Sequence, residues 1–517
     1  MTSAVRCPVG PLARLLPIAA ASLIAGCGGG GAEDTTAPTV TSAQAATEPV
    51  VRRSRITVSG TVTDDRELQS LTLELNGQSQ AVAVQAGAYT ATLDLKAGRN
   101  VYTLTARDAA GNTGQVSGAV YLGHRVAGGN SHSGAIVGGK LYTWGRNNYG
   151  QTGLGFWSTM ANNATTHPVA PALADGSRGF VALAFNQNHS LAVDATGQLW
   201  SWGEDTDGQL GRGTAGQTSC GTTATLKCRL DIGQVPGMSQ VATAAAGYSH
   251  ALALKTDGTV WAFGLNGQGQ LGNGSTTASA VPVQVVWDAA DAANVGRIVQ
   301  VAAGSMSSYA LDDRGQVWGW GRNQYANMGL GSTTTAGITR PVKVPLPTGV
   351  SIVSVATGRD HVLALTTEGR VYAWGLNASS QAGYNGVTYK STAEAWGSPV
   401  LSPRSLPALE TTPAVEVYAN GNTSYVRRAD GKIYQWGLYG VTGETGTTAY
   451  SNLDEPQDRQ PTLGTMIDVS TGGLHQVGLR QDGSIFTWGW SFEGSLGGGA
   501  SAINTWMYNT PLTPVFP

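Results

Sequence analysis

The chain has 517 residues, more than one ordinary domain needs, yet only 12% are charged and the formal net charge is −2. That balance leaves no basic footprint for nucleic acid. The 72 glycines follow no collagen-like period and suit a turn-dense β protein, and no amphipathic helical pattern runs along the chain.

The first element is a leader. Arg6 and Arg14 precede the apolar run Leu15 to Ile24, too short to span a bilayer as a mature helix, and it reads as a signal peptide over residues 1–26. The ending Leu23-Ile24-Ala25-Gly26-Cys27 resembles a bacterial lipobox. That resemblance implies cleavage before Cys27 and a diacylglycerol thioether on it; the plainer alternative is an ordinary signal peptide with an incidental cysteine. Gly28 follows where aspartate would favour the inner membrane, so the expected location is the outer membrane of the cell envelope. Residues 27–37, with Gly28 to Gly31, form a flexible tether. No other segment is long and apolar enough to cross, which leaves the lipid anchor as the expected membrane contact.

Residues 38–122 alternate with a period of two. Ile56 to Val62, Leu71 to Leu75, Tyr89 to Leu93 and Val101 to Ala106 read as strands, separated by turns at Asn76-Gly77 and Asp108 to Asn112. Spacing and size predict a β-sandwich. The T-L-T-A strand followed by Asp108-Ala-Ala-Gly-Asn112 resembles bacterial immunoglobulin-like domains of surface proteins. Asp64, Asp65 and Asp108 have the chemistry for calcium, but acidic loop tips are ordinarily solvated turns, and no metal is assigned.

From residue 123 to 517 one phrase recurs seven times: aromatic, any residue, aromatic, glycine. It ends at Gly145, Gly203, Gly264, Gly321, Gly375, Gly437 and Gly489, every 52 to 62 residues, and another glycine stands six positions before each. A period in this range marks one supersecondary unit repeated into an array. The third unit shows its content. Val241 to Gly247 is a strand of small residues, His250 to Leu254 a second strand, and Asp257-Gly258 a tight hairpin. Val260 to Gly264 is the third strand, with Trp261 and Phe263 on one face. Val281 to Val285 is a fourth strand, whose Pro282 confines it to an edge. Four strands running from a crowded centre to a rim make a propeller blade, and the fold class predicted is all-β: a seven-bladed propeller behind an immunoglobulin-like sandwich.

These units resemble the repeats of the regulator of chromosome condensation family over roughly residues 124 to 515. Ala244-Ala-Ala-Gly247, Gly208-Gln-Leu-Gly211 and Gly269-Gln-Leu-Gly272 carry the likeness. Copies four to six depart at that turn, with Asn327-Met328-Gly329, Ser380 to Gly383 and Gly443 to Gly446. The resemblance implies the same seven-bladed ring.

Several apparent chemical motifs are repeat structure. Gly267 to Gly272 matches G-x-G-x-x-G, but no helix follows to supply an N-terminus for phosphate. Asp205 to Gly208 begins like a calcium loop and lacks its distal glutamate. His132, His189, His250, His361 and His475 share one repeat position, replaced by Ser307 and Ser424 in copies four and six. Five equivalent residues around a ring do not make one active site; a blade-internal hydrogen bond accounts for them. Of the four cysteines, Cys7 leaves with the leader and Cys27 is acylated, so Cys220 and Cys228 pair as a loop-stapling disulfide in an oxidising compartment. No catalytic motif, cofactor loop or metal-ligand spacing remains, and the chain reads as a non-enzyme.

Connections between third and fourth strands are long and aromatic, whereas the Asp-Gly hairpins are short and uniform. The predicted binding face therefore carries Phe156 and Trp157, the Cys220–Cys228 insert, Tyr389 and Trp396, Tyr439 and Tyr450, and Trp506 and Tyr508. The partner expected there is another protein or a cell-surface glycan. Inhibition of a secreted enzyme is the alternative, because a bacterial β-lactamase inhibitor protein is built on the same propeller. Guanine-nucleotide exchange, the activity of the family's nuclear founder, ranks last for an exported chain.

Overall fold

The computed structural model describes residues 34–43, 48–158, 165–172, 179–221, 225–383, 399–406, 412–430, 432–440, 450–458, 466–473, 475–491, 493–499, 505–514 and 516–517. Cys27 and the leader lie outside them.

The N-terminal part is two packed sheets. One orders Thr39–Val40, Arg55–Thr63, Ala88–Asp94 and Val84–Gln85; the other orders Val50–Val51, Thr113–Leu122, Gly98–Asp108, Leu68–Leu75 and Gln78–Ala81. Exposure alternates strictly along Ala88–Asp94, sending Tyr89, Ala91 and Leu93 inward against Ile56, Val58, Leu73 and Leu104. The long strand Thr113–Leu122 was not legible in the sequence, because Gly114, Gly118 and its polar residues blur the alternation.

Seven sheets follow in chain order among the described residues, each running from an inner strand to an outer one. The first is Val126–Gly128, His132–Val137, Lys140–Gly145 and Thr165–Val169; the third is Val241–Ala246, His250–Lys255, Val260–Gly264 and Ser279–Gln284. Inner strands pack on the next sheet's inner strand, and that of the seventh sheet, Met466–Thr471, packs on that of the first. The seventh sheet takes its fourth strand, Thr505–Leu512, from the C-terminal segment, and the first sheet uses only its own residues.

The repeated glycine has a mechanical reason. In all seven sheets the pairing of third and fourth strands shifts register at the glycine that ends the aromatic phrase. That residue adopts a positive φ each time, 94° at Gly145 and 106° at Gly264. A Cβ on Gly264 would stand 2.5 Å from the Ser249 carbonyl oxygen, so the bulge admits only glycine.

Adjacent sheets share no ladder, so side chains join them. The second aromatic of the phrase donates its indole N–H to a turn carbonyl of the preceding sheet: Trp202 to Gln151, Trp320 to Gln270, Trp374 to Asn327, Trp436 to Gln381 and Trp144 to Ser495, at 2.8 to 3.0 Å. A serine hydroxyl of the later sheet donates to the same carbonyl (Ser190 to Gln151, 3.0 Å; Ser308 to Gln270, 2.8 Å). That hydroxyl also meets the repeated histidine of the earlier sheet. His132 Nε2 lies 2.9 Å from Ser190 Oγ, with His250–Ser308, His361–Ser424 and His475–Ser133 alike. The hydroxyl's one proton goes to the carbonyl, so the imidazole donates through Nε2. These bonds run between sheets, which corrects the blade-internal role expected for the histidines. Register also corrects one member of the set: Thr423, not Ser424, pairs with Gly437 as His250 pairs with Gly264.

The imidazole and hydroxyl mostly come and go together. At the fourth junction Ser307 stands in place of the histidine and Val362 in place of the serine; at the sixth, Thr423 and Gln476 do so. His189 is the exception, since Ala251 stands where the serine would be.

Six of the seven outer strands contain a proline: Pro168, Pro282, Pro341, Pro403, Pro456 and Pro511. Proline cannot donate to a further strand, which guards the rim against edge pairing. The second sheet's outer strand, Lys227–Gln234, has none, and this sheet alone carries a fifth strand, Thr218–Ser219, on its edge.

The sandwich is docked on the hairpin side of the seven sheets, at the starts of the inner strands. Ser54 N–H donates to Val299 O (2.7 Å), Tyr121 hydroxyl to Val181 O (2.6 Å), and Arg55 pairs with Asp313 at a hairpin tip (3.1 Å). Between the two parts Arg52 is buried, bonded to Gly123 O at 3.0 Å and paired with Asp468 and Glu416 at 2.7 and 2.8 Å. Burial alone would raise the Asp468 carboxyl; Arg52 and His124 instead hold it well below the usual carboxylate range.

Two outcomes follow. Arg52→Met removes the cation shared by two buried carboxylates, leaving Glu416 with Arg427 (3.0 Å) and Asp468 with His124 (3.0 Å), and should cost ~3–5 kcal/mol in urea unfolding, whereas Arg99→Met, at an exposed pair, should cost under ~1 kcal/mol. Burial lowers His189 and His475 to about 4 and His250 and His361 to about 3, with His132 also well below its ordinary value. A depressed imidazole binds its proton only in the unfolded chain between the two pKa values, so stability is full above ~6.5 and falls as pH drops toward 4. Each imidazole withdraws up to ~1.4 kcal/mol per pH unit in that window. Proton uptake on unfolding at about pH 5.5 should fall by about one proton in His361→Gln; an unchanged uptake would contradict the buried neutral state.

Candidate functional site

Within each sheet the strands alternate direction, so first-to-second turns and third-to-fourth connections emerge on one face. The hairpins and sheet-to-sheet connections emerge on the other, where the sandwich sits. Beneath the sandwich lies a cavity of about 180 Å³ along the axis, lined by the inner strands of the second to seventh sheets and closed at its sandwich end by Arg52, Gly123 and His124. At the opposite mouth is a separate funnel of about 350 Å³.

The funnel is built from one turn used seven times. Two residues before the repeated histidine position stand Asn130, Gln187, Tyr248, Ser305, Arg359, Gly421 and Gly473, and all seven line it. Their backbones are tied sheet to sheet: Asn130 N–H donates to Gln187 O, Ser305 to Arg359 O, Arg359 to Gly421 O, and Gly473 to Gly129 O. The residue before is glycine in five copies; in four the imidazole lies on it, so that a Cβ at Gly358 would clash with His361 Cε1, and at Gly304 the Ser307 hydroxyl takes that place. The exceptions are Asn186 and Asn420. Each accepts the next N–H on Oδ1 (2.7 Å) and donates Nδ2 to the following sheet, to Ala246 and Thr471 respectively. Both residues line cavity and funnel alike and form the floor between them.

Among the described residues the funnel wall is neutral apart from Arg359. Tyr248 is 41% exposed, and the Arg359 side chain 60% exposed. Asp360 beside it is buried, and its carboxylate is engaged by Ser305 Oγ (3.1 Å), Asn327 Nδ2 (3.2 Å) and Arg322 (3.4 Å).

Outside the funnel the face carries some of the aromatics expected from the sequence. Phe156 is 49% exposed, and Trp157 is half-buried. Their loop is pinned through Asn147, which donates to Phe156 O (2.8 Å) and accepts from Ser158 N–H (3.0 Å). Cys220 and Cys228 are bonded, as expected, with Cα atoms 6.1 Å apart. Tyr389 and Trp396 lie outside the described residues. Tyr439, Tyr450, Trp506 and Tyr508 are corrected from loop to strand. Ile433–Gly440 pairs with Tyr450–Asp458 as far as Gly440 opposite Tyr450, and Tyr508 pairs with Gly489. The sixth and seventh sheets extend their ladders past the bulge glycine, which takes up residues that sequence spacing assigned to inserts.

The funnel residues escaped the sequence reading, which looked to long inserts. Their signal was there: within a turn repeated seven times, one position is occupied by Asn, Gln, Tyr, Ser, Arg and twice Gly. No metal was expected at Asp64, Asp65 and Asp108, and two of the three do converge with another carboxylate. Asp64 and Asp108 approach Asp34, not Asp65, and Asp108 is already occupied by the N–H groups of Gly111 and Asn112 and by Asn112 Nδ2.

Residues 213–515 match the RCC1-like domain, and 138–193 and 180–209 match the regulator of chromosome condensation (RCC1) repeat. The chain belongs to the RCC1-like domain family. The ultraviolet-B receptor UVR8 of Arabidopsis thaliana is 30% identical over 383 residues, covering 73% of this chain and 79% of the receptor. Among solved structures, human WBSCR16 is similar with a TM-score of 0.58 at 22% identity, covering 73% of this chain and 95% of that one. Yeast RCC1 (Prp20), solved bound to Kap60, also gives 0.58, at 21% identity over 75% and 85%. Both likenesses concern the fold. Residues 38–123 match glucodextranase domain B, which fits an immunoglobulin-like β domain in front of an RCC1-like propeller.

The fifth strand of the second sheet ties the disulfide to the rim. Cys228 opens the unprotected outer strand, and Cys220 follows the short strand that covers it. Cys220→Ser with Cys228→Ser should leave far-ultraviolet circular dichroism unchanged while adding dimers and larger species in size-exclusion chromatography as edges pair. A double variant that stays monomeric at high concentration would deny the cover this role.

Proposed function

We propose that the chain is a non-catalytic bacterial cell-envelope lipoprotein. Its seven sheets close as a seven-bladed propeller, and its loop face holds a partner protein. The observation that carries this reading is the placement of the sandwich. The chain's own N-terminal domain is fixed by a buried guanidinium over the hairpin end of the axis, which leaves the funnel and the Phe156 loop as the open recognition surface. RCC1-like propellers fit a protein-binding or regulatory role, and yeast RCC1 was solved with Kap60. A lipid on Cys27 would lie on the sandwich side of the ring, so the loop face would point away from the membrane.

The full chain with a photo-crosslinking residue at position 156 should capture an envelope protein, and the same residue at position 257, on a hairpin tip, should not. Substituting Phe156 and Trp157 together should weaken that complex by ~2 kcal/mol or more. Wild type should fractionate with membranes, and Cys27→Ser should be released or stay unprocessed. Capture from position 257 alone would reverse the choice of face, and a mature N-terminus other than a lipidated Cys27 would remove the anchor. A captured hydrolase that loses activity in the complex would select the inhibitor reading.

A further inference from the structure

The loop-face reading leaves the chemistry of the partner open, and the funnel narrows it. Resting on that reading, we propose that the funnel is a carboxylate-recognition site that seats the tip of an acidic protein loop, one aspartate or glutamate side chain pairing with Arg359.

Three observations carry this. Arg359 is the single cation of the funnel lining, its side chain is 60% exposed, and it donates no side-chain hydrogen bond among the described residues. Its one acidic neighbour, Asp360, lies 3.7 Å from Nε and is already engaged by Arg322, Ser305 and Asn327. The guanidinium therefore keeps its fork of donors for a ligand, and a carboxylate matches that fork with two parallel hydrogen bonds. Secondly, its backbone is held although its side chain is free. Arg359 N–H is bonded to Gly421 O, and its carbonyl accepts from Ser305 N–H. The cation thus sits on a fixed rim between two tied sheets, which limits the ordering cost of binding.

Thirdly, the funnel's floor limits how far an occupant reaches in, which suits the tip of a loop. Asn186 and Asn420 floor the funnel and the sandwich closes the axial cavity beyond, so the occupant enters and leaves by the mouth. Asn130 and Gln187 offer amides to the backbone of the incoming turn, and Tyr248 supplies the one large aromatic wall among the described residues. A single such wall suits a protein loop better than a glycan chain, which would stack on more than one.

The test uses the full chain as target for a displayed library of disulfide-cyclised heptapeptides. Enriched peptides should share an Asp or Glu at one loop position. Their affinity should fall about tenfold or more when that residue becomes its amide, and equally in Arg359→Gln, with partial recovery in Arg359→Lys. Because the Arg359 side chain is exposed, circular dichroism should be unchanged by either substitution. Enrichment without an acidic residue, binding indifferent to Arg359→Gln, or no enrichment would each overturn the proposal. Tetragalacturonate serves as the acidic-sugar arm: if it binds through Arg359 while no peptide does, the occupant is a glycan and the protein-loop assignment fails. A captured envelope protein that ignores Arg359→Gln yet needs Phe156 and Trp157 would leave the loop-face reading standing and sink this one.

Discussion

Five of the seven junctions between sheets turn on one carbonyl oxygen each. Each sheet completes its own hydrogen-bond ladders internally, and backbone bonds between sheets are confined to turns and hairpin ends, as from Asn130 to Gln187 O and Val241 to Gly197 O, so a further contact must hold a sheet at its angle to the next. The turn carbonyl of Gln151, Gln270 or Gln381 does so by accepting both the indole and the serine hydroxyl of the following sheet. The Gln side chain folds back to accept a turn N–H, as Gln270 Oε1 does from Gln268, and thereby aims that carbonyl across the gap. A buried polar cluster of this kind is costly when half-made and rigid when complete. This explains why imidazole and serine are lost together at the fourth and sixth junctions, and why the third sheet's Phe263, which cannot donate, coincides with the missing serine at Ala251.

From that constraint the two faces acquire different fates. The clasps lie near the loop side, beside the histidine turns, and they fix the seven turn backbones so firmly that the position just outside them is free to vary. On the hairpin side the sheets meet mainly through backbone bonds, such as Val241 N–H to Gly197 O and Ile352 N–H to Gly315 O, and there the chain brings its own partner, the sandwich, held by Arg52 between Asp468 and Glu416. A buried ion pair is weak evidence for net stability, because desolvation offsets the attraction. What this one supplies is a fixed docking angle, since the guanidinium must meet two carboxylates and the Gly123 carbonyl at once.

Much of this was legible in the sequence, and the failures share a cause. The aromatic phrase, its glycine and the edge proline report constraints internal to one unit, and a period of 52 to 62 residues repeats them until they cannot be missed. The histidines were legible as structural but were given the wrong partner, because a contact between sheets joins residues about 58 apart, as in His132 and Ser190, and leaves no local pattern. Tyr439, Tyr450, Trp506 and Tyr508 were placed in loops because spacing cannot show how far a ladder continues past a bulge. The funnel was overlooked because a repeat search rewards sameness, whereas recognition sits where sameness stops.

The second sheet shows how one constraint can replace another. Proline guards every other outer strand by withholding an N–H, and Lys227–Gln234 forgoes it. In the same strand Arg229 turns inward to pair with Asp205 and to bond the carbonyls of Arg212, Gly213 and Ala215. Those bonds draw the 212–219 insert over the edge, and the Cys220–Cys228 bond fastens its far end to the strand. The insert thus covers the start of that edge, where Thr218 and Ser219 pair with Cys228 and Lys227. Its cysteines are legible as a pair from spacing alone, but their task becomes clear only when the missing proline is set beside the other six.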